Sequence, residues 1–165
     1  MSSVLADRFR QWFVLECKAH DRVFASLRTV PTDRHASPEF RKAVSLVGHV
    51  VAARRIWLAR LGVIPLPTDP LFPEDSDLEK VIADWARVQS EWTPFLAGLD
   101  DAALARQIEY RSYDGDAFRN RVEDVLLQLL THSPYHRGQI AVLVRACGGE
   151  PAKTDYIFWL REAVR

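Results

Sequence analysis

The chain has 165 residues, 48% hydrophobic and 27% charged, the balance of an ordinary globular domain, which excludes a disordered, collagen-like or low-complexity chain. Its 22 Lys and Arg match its 22 Asp and Glu, so it lacks the basic excess that neutralises phosphates, and nucleic acid is not an expected partner. A chain of this length buries roughly 68–70% of its unfolded surface without a disulfide staple, which fits one domain over residues 1–165.

The first amphipathic run spans Val4 to Leu27, with Leu5, Phe9, Trp12, Phe13, Glu16, Val23, Phe24 and Leu27 mostly three and four residues apart. Pro31 and the polar run Thr32 to His35 close it. Ser37 as N-cap and Pro38 in the first helical position open a second helix, which runs to Leu61 and stops at Gly62. A loop carrying Pro65, Pro67, Pro70 and Pro73 follows. Ser76-Asp77-Leu78-Glu79 reads as a capping box, and the third helix it starts ends near Gly98, bent or shortened by Pro94. Between Gln107 and Phe118 the period changes to two. Ile108 and Tyr110 alternate with Glu109 and Arg111, and Asp114-Gly115 predicts a tight hairpin returning through Ala117-Phe118. Asn120-Arg121-Val122-Glu123 begins a fourth long helix that ends at Cys147 before Gly148-Gly149. Thr154 or Asp155 caps a short fifth helix to about Ala163. Four long amphipathic helices predict an all-α four-helix bundle, with a small β-hairpin before the fourth long helix.

No apolar stretch is long enough to span a bilayer, and Met1 to Phe13 lacks a signal-peptide core. Cys17 and Cys147 are too few for a disulfide scaffold and read as buried or half-buried thiols. The expectation is a cytoplasmic protein with no membrane partner.

The chemistry lies in the histidines. His132 and His136 are four residues apart, so they share one face of the fourth helix, about 6 Å apart along its axis. They fall on the stripe Val125, Leu129, His132, His136, Ile140, Leu143, Cys147, at core positions. Two imidazoles there need partners for four ring nitrogens, and an unpaired buried polar group costs roughly 1–3 kcal/mol. Either neighbouring side chains satisfy them or a bound cation takes one lone pair from each ring. In the second helix His49 lies on a similar stripe with Leu46, Val50, Ala53, Ile56 and Trp57. His49, His132 and His136 are therefore candidate ligands of one divalent ion. His20 reads as a surface or helix-interface residue and His35 as a solvated loop residue. Asp114 and Asp116 lack calcium-loop spacing, and no phosphate-binding glycine loop or nucleophile elbow is present.

The string His132-Ser133-Pro134-Tyr135-His136-Arg137-Gly138-Gln139-Ile140 resembles the signature of the DinB/YfiT-like superfamily. The second helix around Val47-Gly48-His49-Val50 and Arg54-Arg55-Ile56-Trp57-Leu58, the Asp114-Gly115 hairpin and the ending Pro151 to Ile157 are similar too, so the resemblance covers about Val4 to Arg161. It implies an up-down-down-up bundle with His49, His132 and His136 on one divalent metal. Zinc or nickel comes first, with iron, manganese or copper as alternatives. Relatives include metal-dependent transferases and isomerases that use low-molecular-weight thiols, and many are homodimers. The expected function is thus a metal-dependent S-transferase acting on a small-molecule thiol and a small electrophile. The alternative is a non-catalytic metal-binding or helical interaction protein. Two departures stand out. Pro134 lies between the metal histidines and removes a hydrogen bond to the Leu130 carbonyl, which predicts a kink. Lys18-Ala19-His20 aligns with the Trp-Ala-Asn of relatives, which points His20 toward the metal region.

Overall fold

A computed structural model describes residues 4–164 of the chain. Its elements are α1 (Val4–Leu27), α2 (Pro38–Arg60), α3 (Leu78–Ala97), a short α4 (Asp101–Ala105), strands β1 (Gln107–Arg111) and β2 (Ala117–Arg121), and α5 (Val122–Ala146), with 3-10 turns at Thr32–Arg34 and Tyr156–Trp159. α5 packs on α1 and α2, and α3 packs on the other sides of the same two helices. Cross-helix bonds fix the directions. Arg28 bonds Glu79 and Arg10 bonds the Leu96 carbonyl, so α1 and α3 are antiparallel. Glu16 meets Arg137 and Ser26 meets the Glu150 carbonyl, so α1 and α5 run parallel. Ser37 lies by Cys147 and His49 by His132, so α2 opposes α5. The bundle is therefore up-down-down-up.

The helices begin where side-chain oxygens can satisfy free N–H groups. Ser37 accepts from Phe40 N and Pro38 needs no bond at its position. α3 is capped by Asp77, which accepts from Lys80 N, and not by Ser76 as the capping-box reading expects. Arg10 places its guanidinium on the Leu96 and Leu99 carbonyls, at 2.8 and 3.2 Å, which satisfies acceptors at the negative end of α3. One apolar core joins all four long helices, with Leu27, Val47, Val88, Trp92 and Val125 almost wholly buried. Replacing Trp92 by Ala costs about 3–5 kcal/mol on this account.

The hairpin is wider than a two-residue turn. Register runs from Gln107 opposite Arg121 to Arg111 opposite Ala117. Residues 112–116 form the loop, closed by Ser112 N to the Asp116 carbonyl, with Gly115 at φ +91°. β2 continues through Asn120 to Arg121, so α5 starts at Val122, after the expected Asn120 cap. The hairpin docks on α2. Arg60 donates to the Arg111 carbonyl and lies over the rings of Trp57 and Tyr110. Two more expectations are corrected. The tail forms a single 3-10 turn, Tyr156–Trp159, not a helix to Ala163; Thr154 is engaged by Arg137 and Asp155 makes no side-chain capping bond. α3 runs through Pro94 to Ala97, so that proline does not shorten it, and α5 continues as helix on both sides of Pro134.

Candidate metal centre

α2 and α5 carry the three histidines to one point. His49 Nε2 lies 3.1 Å from His132 Nε2, and His136 Nε2 lies 3.0 Å from the same atom. The sequence-derived trio is thus brought together, with His49 and His136 buried and His132 half-buried.

The proton positions follow from the outer nitrogens. His49 Nδ1 donates to the Leu71 carbonyl at 2.8 Å, and a carbonyl only accepts, so this nitrogen carries the proton. His136 Nδ1 donates to Gln139 Oε1 at 2.8 Å. In the neutral rings both Nε2 atoms are then bare lone pairs aimed at His132 Nε2. That atom holds at most one proton, so it can bond to one neighbour and must oppose the other lone pair to lone pair. A cation at the focus removes the conflict by accepting all three. Two nitrogens about 2.0–2.1 Å from a tetrahedral zinc ion stand roughly 3.3 Å apart, close to the two separations from His132, and the ligand atoms of all three rings lie within 4.8 Å of one another.

For His49 and His132 the site favours the neutral form that ligates. Burial, then the neighbouring His136 and His49 and the Arg54 charge, pull His132 down to about 4. Burial also lowers His49, against the opposing Leu71 carbonyl bond. Phe72 stacks flat on the His49 ring at 4.5 Å, and Tyr135 meets the His136 ring edge-on at 5.0 Å. Both aromatics are mostly exposed, so they flank the site at the surface.

Gly48 brings the proline-rich loop close enough to deliver Leu71 and Phe72. A Cβ there would stand 2.8 Å from Pro73 Cγ and 3.1 Å from Ser76 Oγ. Leu71, Phe72 and Tyr135 carry no spacing signal. Gln139 does have one, because it sits three residues after His136 on the same helix.

The other histidines lie elsewhere. His20 is fully buried at the α1–α3 interface, stacked on Trp85 at 3.8 Å, and does not join the trio that the resemblance points it toward. His35 is half-buried and stacked on Phe40, with Nε2 donating to the Val30 carbonyl, and is not the solvated residue the polar loop suggests. Between the helices lies a buried ionic group that the sequence reading does not find. Glu16 takes Arg137 Nη1 on Oε1 at 2.5 Å and Arg54 Nη2 on Oε2 at 3.1 Å. Arg54 also reaches Ser133 Oγ, one residue from His132. Cys17 is half-buried and Cys147 buried, and both are free.

Residues 1–163 match the DinB family. A crystal structure of a DinB-like protein from Bacillus cereus ATCC 10987 shares the fold at a TM-score of 0.65, with 18% identity over 88% of this chain and 94% of that one. No curated protein matches the chain. No helix among the described residues is long and apolar enough to cross a membrane.

Proposed function

The chain belongs to the DinB family, and from that premise we propose that it binds one divalent metal ion through His49, His132 and His136 and transfers a small thiol to a small electrophile. The observation that carries the metal reading is the convergence of three Nε2 atoms with too few protons to satisfy one another. Zinc or nickel suits the imidazole set first, and iron, manganese or copper also accept it. Three protein ligands leave a coordination position open, unlike a structural zinc closed by four. When bound, the ion supplies a positive charge that deprotonates a thiol at neutral pH.

The protein's own groups prepare that position. The Leu71 carbonyl and Gln139 hold the protons at Nδ1 and so keep both Nε2 atoms free. Phe72 and Tyr135 give the open side apolar flanks against which an electrophile's carbon skeleton can rest. The nucleophile comes from outside the chain. Burial pushes the Cys17 thiol up to about 11, which leaves almost no thiolate at neutral pH. Cys147 sits at the far end of α5 beside Ser37, three turns beyond His136. Both cysteines being free suits a reducing cytoplasm.

The test combines metal analysis of protein purified without an affinity tag and conjugation of a model electrophile with a panel of low-molecular-weight thiols. Wild type, His49→Ala and a Cys17→Ser/Cys147→Ser variant are compared. Activity lost in the first variant and kept in the second supports the proposal. Metal-loaded protein that is inactive with every thiol makes the function non-catalytic metal binding. Protein that takes up no metal is a helical interaction protein with core histidines. A homodimer is part of the proposal, supported by large apolar side chains left exposed, among them Val142 and Ile157. Light scattering that gives the mass of one chain at micromolar concentration overturns the dimer.

A further inference from the structure

A cavity of about 310 Å³ opens between α1 and α5 beneath the C-terminal 3-10 turn. That volume is in the range of small-molecule sites. Leu130, Pro134 and Arg137 line it, and they occupy a different face of α5 from His132 and His136. The walls are apolar and aromatic. Trp12 and Leu15 come from α1, Leu130 and Pro134 from α5, and Tyr156 and Trp159 form the roof. The roof is tied down. Trp12 Nε1 donates to the Tyr156 hydroxyl at 2.9 Å, and the Arg22 guanidinium lies 3.9 Å from the centre of the Trp159 ring while bonding the Lys153 carbonyl.

The floor is charged. Glu16 and Arg137 are the charged residues that line the cavity, and Arg54 sits behind them. Two guanidiniums share the one Glu16 carboxylate, so the buried group carries one positive charge in excess. His20 beside it adds no compensating negative charge. Arg137 donates Nη1 to Glu16 and Nε to Thr154 Oγ1, and its Nη2 has no acceptor among the described residues. Arg54 Nε is buried and likewise without a partner. An apolar pocket floored by a buried ionic group with one positive charge in excess, and with the Nη2 of Arg137 left over, is built for an anion with an apolar body, because buried charge is stable only when paired.

We propose that this cavity is a binding site for a small organic monoanion with a flat apolar body, an arylalkyl carboxylate. Its carboxylate meets Arg137 Nη2 and its ring lies against Trp12 and Trp159. The site is separate from the histidine trio and does not depend on metal. Glu16 does not exclude the anion, since both its oxygens are already held by guanidiniums.

The test is calorimetric titration of the full-length protein with indole-3-acetate and with the neutral, equally shaped indole-3-acetamide. Saturable binding of the acid, with the amide at least about tenfold weaker, is expected from the loss of one charge-assisted bond. Arg137→Met removes the preference for the acid. It leaves Glu16 paired with Arg54, so the core keeps a neutral ion pair. Leu127→Trp crowds the cavity from an exposed position and weakens both ligands without touching the core. His49→Ala and metal-stripped protein bind the acid as wild type does, which separates this site from the metal proposal. Three results overturn the inference: no saturable binding, equal binding of acid and amide, or binding lost in His49→Ala.

Discussion

An imidazole has two nitrogens, and at His49 and His136 the chain fixes the proton on one of them, so the other can only seek a proton or a cation. Losing one such ring removes a third of the donor set. His136→Ala is expected to lose stoichiometric metal in elemental analysis while its circular dichroism stays helical. A variant that keeps one metal per chain sinks the ligand assignment. Glu16 is the second decisive residue. Its carboxylate is bonded to two buried guanidiniums, and Glu16→Gln leaves both short of a counter-charge. Breaking such a pair costs about 3–5 kcal/mol, which urea unfolding measures. His20 gives a pH signature. Its Nδ1 donates to the Glu16 carbonyl, its Nε2 has no partner among the described residues, and burial followed by the Arg54 charge holds it well below the usual histidine range. The unfolded chain therefore takes up the proton first, near pH 6.5. Stability is greatest above that value and is lost as pH falls below it, at a limiting slope of about 1.4 kcal/mol per pH unit for this one group. His20→Phe keeps a ring on Trp85 but has no proton to bind. Urea midpoints of the metal-free proteins at about pH 7.5 and about pH 5 should show a smaller loss in the variant. Parallel losses would mean that His20 does not titrate in this window.

At the scale of elements, the long helices are legible because their stripes extend over more than five turns, and α1 ends at Leu27 where the period places it. The short pieces are not. α4 is five residues long and depends on one Asp100 bond to Ala103 N, too little pattern to register. The tail keeps only one 3-10 turn because its residues pack over the α1–α5 groove. The histidine trio is legible because helical spacing alone aligns it, whereas its supports lie far off in sequence. Leu71 and Phe72 belong to a loop whose path local chemistry does not dictate. The Glu16 group draws on three helices, and its one sequence signal is a glutamate within an apolar stripe. Gly48 links the two levels. It lets the loop lie against α2, and any Cβ there meets Pro73 and Ser76. Gly48→Val should push the loop outward and lengthen the bond from His49 to the Leu71 carbonyl. Losing the hydrogen bond that orients a ligand histidine reduces metal affinity about 10- to 100-fold, with every ligand still present. Competition with a chromogenic chelator measures the change, and an unchanged affinity would show that the loop does not position His49.

In the whole molecule, α2 and α5 are antiparallel neighbours joined along their length by apolar packing and at mid-height by the histidines. Their junction is also where Arg54 of α2 reaches Ser133 of α5 and Glu16 of α1, so the site lies above the point at which three helices are pinned together. A ligand that binds only the folded chain adds its binding free energy to the stability of that junction. The unfolded chain leaves His49 some eighty residues from His132 and offers no trio, so metal should bind the native state almost exclusively. At a free metal concentration about 100 times Kd the gain is about 2.7 kcal/mol. In a chain of this size that corresponds to a rise in Tm of roughly 5–11 °C, at about 2–4 °C per kcal/mol. Calorimetry of wild type with zinc, with nickel and with a chelator is the measurement. His49→Ala should melt at one temperature in all three, since it lacks the helix-bridging ligand but keeps the pair on α5. A shift that persists in that variant would place the metal on His132 and His136 alone, within one helix, and would remove the bridge between α2 and α5 on which this account of the site rests.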